Sequence, residues 1–284
     1  MKYLKNNFAT GLFLLAFIGL IFKALIAKNL QANENLITRA LTSYLIAYLA
    51  FKISFMETKK VGLIFIPLIF YSLSLALIIN EGISTRIPRD SLQIMTSLYK
   101  LMVMVGVFFI LELIFNKLVG SLATSVLGGL SFLIFLAIIF SKKLDILRPF
   151  EDFFLYFSFY VMAIRLRSAA RLNPALLVLA ILLVIGEIYL RERYKFDYGF
   201  LFTIFPLTYL ILKTITYEAV FTFADYLALA LTYIYPALFV IIKTSLDLES
   251  LAISIIAILA SYILGQGIYK IKNKYLSYLL LGIN

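Results

Sequence analysis

Long apolar runs separated by short charged turns make up almost the whole of this chain. Runs long enough to be membrane helices lie near 8–27, 36–55, 61–80, 92–115, 118–141, 150–166, 174–190, 197–216, 222–243 and 250–269. The shortest are about 17 residues, the lower limit for crossing the hydrocarbon, which leaves three readings for such a run: a tilted span, a buried one or a miscounted one. The turns hold most of the charge, as in Glu57-Thr58-Lys59-Lys60 and Arg191-Glu192-Arg193. After the basic stretch Lys270–Lys274 the tail turns apolar over Tyr275–Leu281, too short to span and read as an interfacial cap. The pattern predicts an all-α integral membrane protein with ten transmembrane helices.

The pattern also repeats, at an offset of about 137 residues. Met95-Thr96-Ser97-Leu98-Tyr99-Lys100 stands against Leu231-Thr232-Tyr233-Ile234-Tyr235-Pro236. Downstream, Leu122–Gly128 stands against Leu259–Gly265, and upstream Val61–Phe65 against Tyr198–Phe202. Several matches in one order predict two five-helix repeats, 1–143 and 144–284. Five is odd, so the second repeat enters the membrane from the opposite face. Inverted repeats of that kind can gate a shared midplane site by alternating access. The duplication therefore points to a transporter rather than an enzyme.

Composition agrees and narrows the chemistry. The chain is 63% hydrophobic and 14% charged, with a mean hydropathy of +1.00. The net charge of +11 lies between the apolar runs, where it meets lipid headgroups and not nucleic acid. Cysteine, histidine and tryptophan are absent. That removes disulfides, thiolate nucleophiles, imidazole acid–base catalysis and most transition-metal sites, and no catalytic residue, metal site or cofactor is expected. Any interfacial aromatic belt falls to the 19 tyrosines. The first apolar run resembles a signal peptide but is read as an uncleaved helix, because Lys23 interrupts it and the repeat needs it. Basic residues divide nearly evenly between the two sides and slightly favour both termini in the cytoplasm.

Polar residues inside apolar helices look inward, since lipid cannot satisfy them. Gln93, Thr96 and Lys100 share a helix face with Tyr99 beside it, and Thr232 and Tyr235 are their partners in the second repeat. Tyr71, Ser74 and Tyr209 line the third and eighth spans, and Asp225 opens the ninth. These residues form the expected substrate-binding set, with interhelical hydrogen bonding as the plainer alternative, worth about 0.6 kcal/mol per pair. Pro67, Pro206 and Pro236 are candidate gating kinks. Counted from Ser91, Lys100 lies roughly 14 Å deep and would bind an anionic group such as a carboxylate. Glu112 is expected to pair with Lys117. Small residues recur every fourth position at Ser121, Ser125 and Gly129 and at Ala257, Ser261 and Gly265, which fits packing within the chain or a homodimer contact.

The chain resembles the drug/metabolite transporter superfamily, in particular its EamA-type exporters, in length, span number and five-plus-five repeat. An arginine opens the second span in Leu36-Ile37-Thr38-Arg39-Ala40-Leu41. Tyr235-Pro236 is followed by an acid at Glu249, and the first repeat keeps its acid as Glu112. One departure is clear: Lys100 stands where the first repeat would carry a proline. The resemblance implies a secondary carrier, an exporter of small polar metabolites such as amino acids, in the inner membrane of a prokaryote. A lipid-linked carrier translocator is the alternative. A ten-span acyltransferase-like enzyme is a weaker one, because those enzymes depend on a histidine.

Overall fold

The computed structural model describes residues 34–54, 56–80, 89–166, 223–246, 249–271 and 273–282, with single positions between 178 and 212. Every element among the described residues is helical. In order they are α1 (Glu34–Ile53), α2 (Thr58–Ile64), α3 (Ile66–Asn80), α4 (Arg89–Leu118), α5 (Ser121–Phe140), a 3-10 segment (Lys142–Phe150), α6 (Glu151–Leu166), α7 (Phe223–Ser245), α8 (Ser250–Ile271) and α9 (Lys274–Leu281). The expected spans at 36–55, 92–115, 118–141, 150–166, 222–243 and 250–269 each coincide with one helix. The spans at 8–27, 174–190 and 197–216 lie wholly or largely outside the described residues.

Three stretches are long and apolar enough to cross a membrane: Tyr99–Leu118 in α4, Ser121–Phe140 in α5 and Leu251–Ile271 in α8. They suggest a membrane protein. The ten-span inverted repeat goes beyond what these helices show and is taken up below as a proposal.

The run at 61–80 is two helices rather than one. Pro67 has no N–H for the Leu63 carbonyl, and its ring crowds that carbonyl. The break falls just ahead of it at Phe65, whose N–H turns back to Gly62 O at 3.2 Å. A second difference is the length of α4, 30 residues. That is roughly 45 Å, well beyond a hydrocarbon core of about 30 Å.

The chain divides into two compact units, each built from segments that are distant in sequence. Among the described residues, unit 1 takes those within 30–55 and 107–217, and unit 2 those within 56–106 and 218–284. In unit 1, α6 packs against both α1 and α5. Arg39 of α1 holds the start of α6 through Glu151 at 2.7 Å and Asp152 at 2.8 Å. Against α6, α5 buries Thr124, Gly128, Ser131, Phe135 and Ile138. A Cβ at Gly128 would meet Val161 Cγ1 at 2.7 Å, which measures how closely the two helices approach. The expected stripe at Ser121, Ser125 and Gly129 is therefore not the packed face: Ser121 and Gly129 are exposed, and Gly129 has nothing near its Cβ position. Phe108 fills the core beside Phe153, Phe157 and Tyr160, with ring centroids 5.2, 5.3 and 5.6 Å away.

In unit 2, α7 packs along α8. Here the small stripe does face inward: Ala257, Ser261 and Gly265 are buried, and a Cβ at Gly265 would touch Ala230 at 3.0 Å. The tail folds into α9, capped by Asn273, whose side chain accepts the N–H groups of Tyr275 and Leu276 at 3.0 and 3.1 Å. At its other end Gly282 takes the left-handed conformation, with φ +72°. A Cβ there would lie 2.4 Å from Ile64 Cα, so the glycine sits directly on the backbone of the α2–α3 break. Eight residues cannot span a bilayer, and the segment caps unit 2 with Ser277 and Leu281 buried.

Candidate functional site

Polar contacts gather beside the break between α2 and α3 in unit 2. Tyr233 of α7 donates its hydroxyl to the Ile64 carbonyl at 2.7 Å. Tyr71 of α3 stacks on the Tyr233 ring, with centroids 6.1 Å apart and planes within 11°. Tyr99 of α4 donates to the backbone carbonyl of Tyr233 at a long 3.5 Å. Three tyrosines from three helices thus meet around Tyr233, which alone of them bonds the backbone at the break, and all three are buried. Irregular backbone in apolar surroundings needs such partners, because a carbonyl without one is costly to bury.

The expected site residues are only partly brought together here. Tyr71 and Tyr99 belong to the cluster. Thr232, Tyr235 and Pro236 are buried on α7, but Tyr235 is turned to α8, where its hydroxyl meets Ser254 Oγ at 2.9 Å. Pro236 stands inside α7 without breaking it. Pro67 is buried in the first turn of α3, where it accounts for the break. Lys100 is exposed, next to buried Tyr99 and in the first turn of the Tyr99–Leu118 stretch. Gln93, Thr96, Ser74 and Asp225 are on helices whose side chains at those positions lie outside the described residues, and Tyr209 and Pro206 lie outside them entirely.

Tyr233 is the residue that the sequence set missed. Its signal was available: a tyrosine in an apolar run must find a partner for its hydroxyl.

Unit 1 holds a second polar constellation. Glu112 of α4 accepts Asn116 Nδ2 at Oε1 and the Tyr160 hydroxyl at Oε2, both at 3.1 Å. Thr124 of α5 donates to Asn116 Oδ1 at 2.6 Å. Three helices are joined through one carboxylate. The expected Glu112–Lys117 pair is replaced by these contacts, because Asn116 is on the same face one turn on and Tyr160 reaches across from α6. Close by, Arg165 of α6 donates to the Ser121 carbonyl at the start of α5.

No known protein family, curated protein or solved structure matches this chain.

Proposed function

We propose that this chain is an integral membrane carrier for small polar metabolites, amino acids foremost, that works by alternating access. The α2–α3 break is the observation that carries this reading. Discontinuous helices inside apolar protein are characteristic of secondary transporters, where unwound backbone and helix ends meet substrate or ion. The break here is held by a neutral tyrosine hydroxyl, and opening that bond costs about 1–3 kcal/mol until a substrate or ion group takes the hydroxyl's place at the Ile64 carbonyl. The odd-numbered duplication read from the sequence, with ten spans as two inverted repeats, supports the same mechanism. So does the absence of histidine and cysteine, which leaves no imidazole base or thiolate for membrane enzymology. In this reading Tyr71, Tyr99 and Tyr233 form the element that rearranges. Lys100, exposed beside them in sequence, is the charge that meets a substrate carboxylate.

The test is flux in liposomes. Purified protein should exchange a radiolabelled amino acid drawn from a mixed panel, with Lys100→Met losing most of the flux of anionic substrates and sparing neutral ones. Product formation from an acyl or prenyl donor with no flux of any metabolite would overturn the reading.

A further inference from the structure

The two ends of α8 carry opposite charge. Asp247 and Glu249 stand ahead of it, Lys270, Lys272 and Lys274 come at its end and just beyond, and no acidic residue occurs from Ser250 to Asn284. The Leu251–Ile271 stretch between these ends is apolar enough to cross a membrane. Lys270 and Lys274 are exposed, and among the described residues neither is ion-paired. Lys274 lies 5.8 Å from the centroid of the Tyr278 ring, within cation–π range, which keeps it on the surface of α9.

The two faces of α9 differ as well. One buries Ser277 and Leu281 in unit 2, and the other turns Tyr275 and Leu279 outward, one helical turn apart and 85% and 42% exposed. At a bilayer surface their apolar bodies would enter the acyl boundary while the tyrosine hydroxyl stays among the headgroups. Lysines at the same end of α8 reach phosphate groups at that level. Basic charge with no acid beside it in the sequence complements an anionic headgroup rather than a zwitterionic one. The inner side of α9 leads to the break. The helix packs on α2, α3 and α7, and Gly282 at its end lies on the backbone of Ile64, whose carbonyl accepts the Tyr233 hydroxyl. Whatever fixes α9 therefore fixes one side of the break.

We propose that the α8–α9 junction, through Lys270, Lys274, Tyr275 and Leu279, is a docking surface for anionic phospholipid headgroups, and that lipid held there seats α9 against the α2–α3 break. The proposal takes the chain to be a membrane protein but needs no transport, so its test uses no flux and its failure leaves the carrier reading untouched.

Purified full-length protein in neutral detergent is titrated with phosphatidylglycerol or phosphatidylcholine. It should melt about 3 °C higher with phosphatidylglycerol, at about ten times the half-effect concentration, than with the same amount of phosphatidylcholine. High salt should weaken that difference. Lys270→Gln combined with Lys274→Gln should raise the half-effect concentration about 25-fold, at about fivefold per basic side chain near an anionic surface. Amide hydrogen exchange over α2 and Phe65 should slow on adding phosphatidylglycerol to the parent. Equal melting in the two lipids, an unmoved half-effect concentration in the double variant, or exchange at the break indifferent to phosphatidylglycerol would overturn the proposal. So would inorganic phosphate reproducing the effect, because that marks a site for a free anion. The comparison of lipids on the parent needs no variant and decides the matter even if the double variant fails to fold.

Discussion

Unit 1 and unit 2 are both helical and both apolar, yet their helices are tied together by different means. In unit 1 the ties carry charge: Arg39 to Glu151 and Asp152, and Glu112 to Asn116 and Tyr160. In unit 2 the ties described at the break are neutral hydroxyls and backbone: Tyr233 to Ile64, Tyr99 to Tyr233, and Gly282 lying on Ile64. A desolvated ion pair that loses one partner leaves an uncompensated charge, at about 3–5 kcal/mol, whereas a buried neutral hydrogen bond that opens costs about 1–3 kcal/mol. Charge therefore suits a frame, and hydroxyls suit a part that must let go. Under the carrier reading, the moving piece belongs to unit 2.

The sharpest way to break this comparison is at Gly282. An alanine there would need both a left-handed backbone and room 2.4 Å from Ile64 Cα. Overpacking and strain together should destabilise unit 2 by about 3 kcal/mol, seen as a lower melting temperature or loss of the monodisperse peak. Gly62→Ala is the matched control on α2, since nothing lies within 4 Å of its Cβ position, and it should melt at or slightly above the parent. Next comes Arg39→Met in unit 1. The Glu151 side chain is 9% exposed and that of Asp152 48%, so the loss should fall between surface and buried limits, at about 2 kcal/mol by thermal melting. The smallest effect is expected for Tyr233→Phe, which keeps the stack on Tyr71 and removes only the hydroxyl. It should cost about 1 kcal/mol and, if the break moves during transport, change flux more than stability. A Tyr233→Phe variant more damaging than Arg39→Met would reverse the assignment of frame and moving part.

Much of the helical architecture was legible in the sequence because apolar length alone fixes where a membrane-type helix can run. Six expected spans coincide with helices for that reason. The split at Phe65 was legible only in its cause, Pro67, because a proline in a sequence does not reveal whether its helix bends or parts. Pro236 shows the opposite outcome in α7. Small-residue spacing was an even weaker guide. Ala257, Ser261 and Gly265 do pack, while on α5 the packed set is Thr124, Gly128, Ser131 and Phe135, offset from the stripe that spacing alone selected. Two interleaved small-residue patterns ran along that helix, and only the neighbour, Val161 of α6, distinguishes them. The site was the least legible part. The Tyr233–Ile64 and Tyr160–Glu112 bonds are contacts across 169 and 48 residues of chain, which no local pattern encodes.

The Tyr71–Tyr233 stack has a spectroscopic consequence. Because the chain contains no tryptophan, tyrosine emission has no indole to drain into, and near-ultraviolet circular dichroism arises from tyrosine and phenylalanine alone. Tyr71 and Tyr233, stacked in a fixed setting, contribute to that tyrosine signal, and the hydroxyl bonded to Ile64 shifts its ring's absorption to the red. With 19 tyrosines in the chain, the difference between the parent and Tyr233→Phe isolates the contribution of the break. Ligands added to unlabelled protein can be scored by whether that band changes.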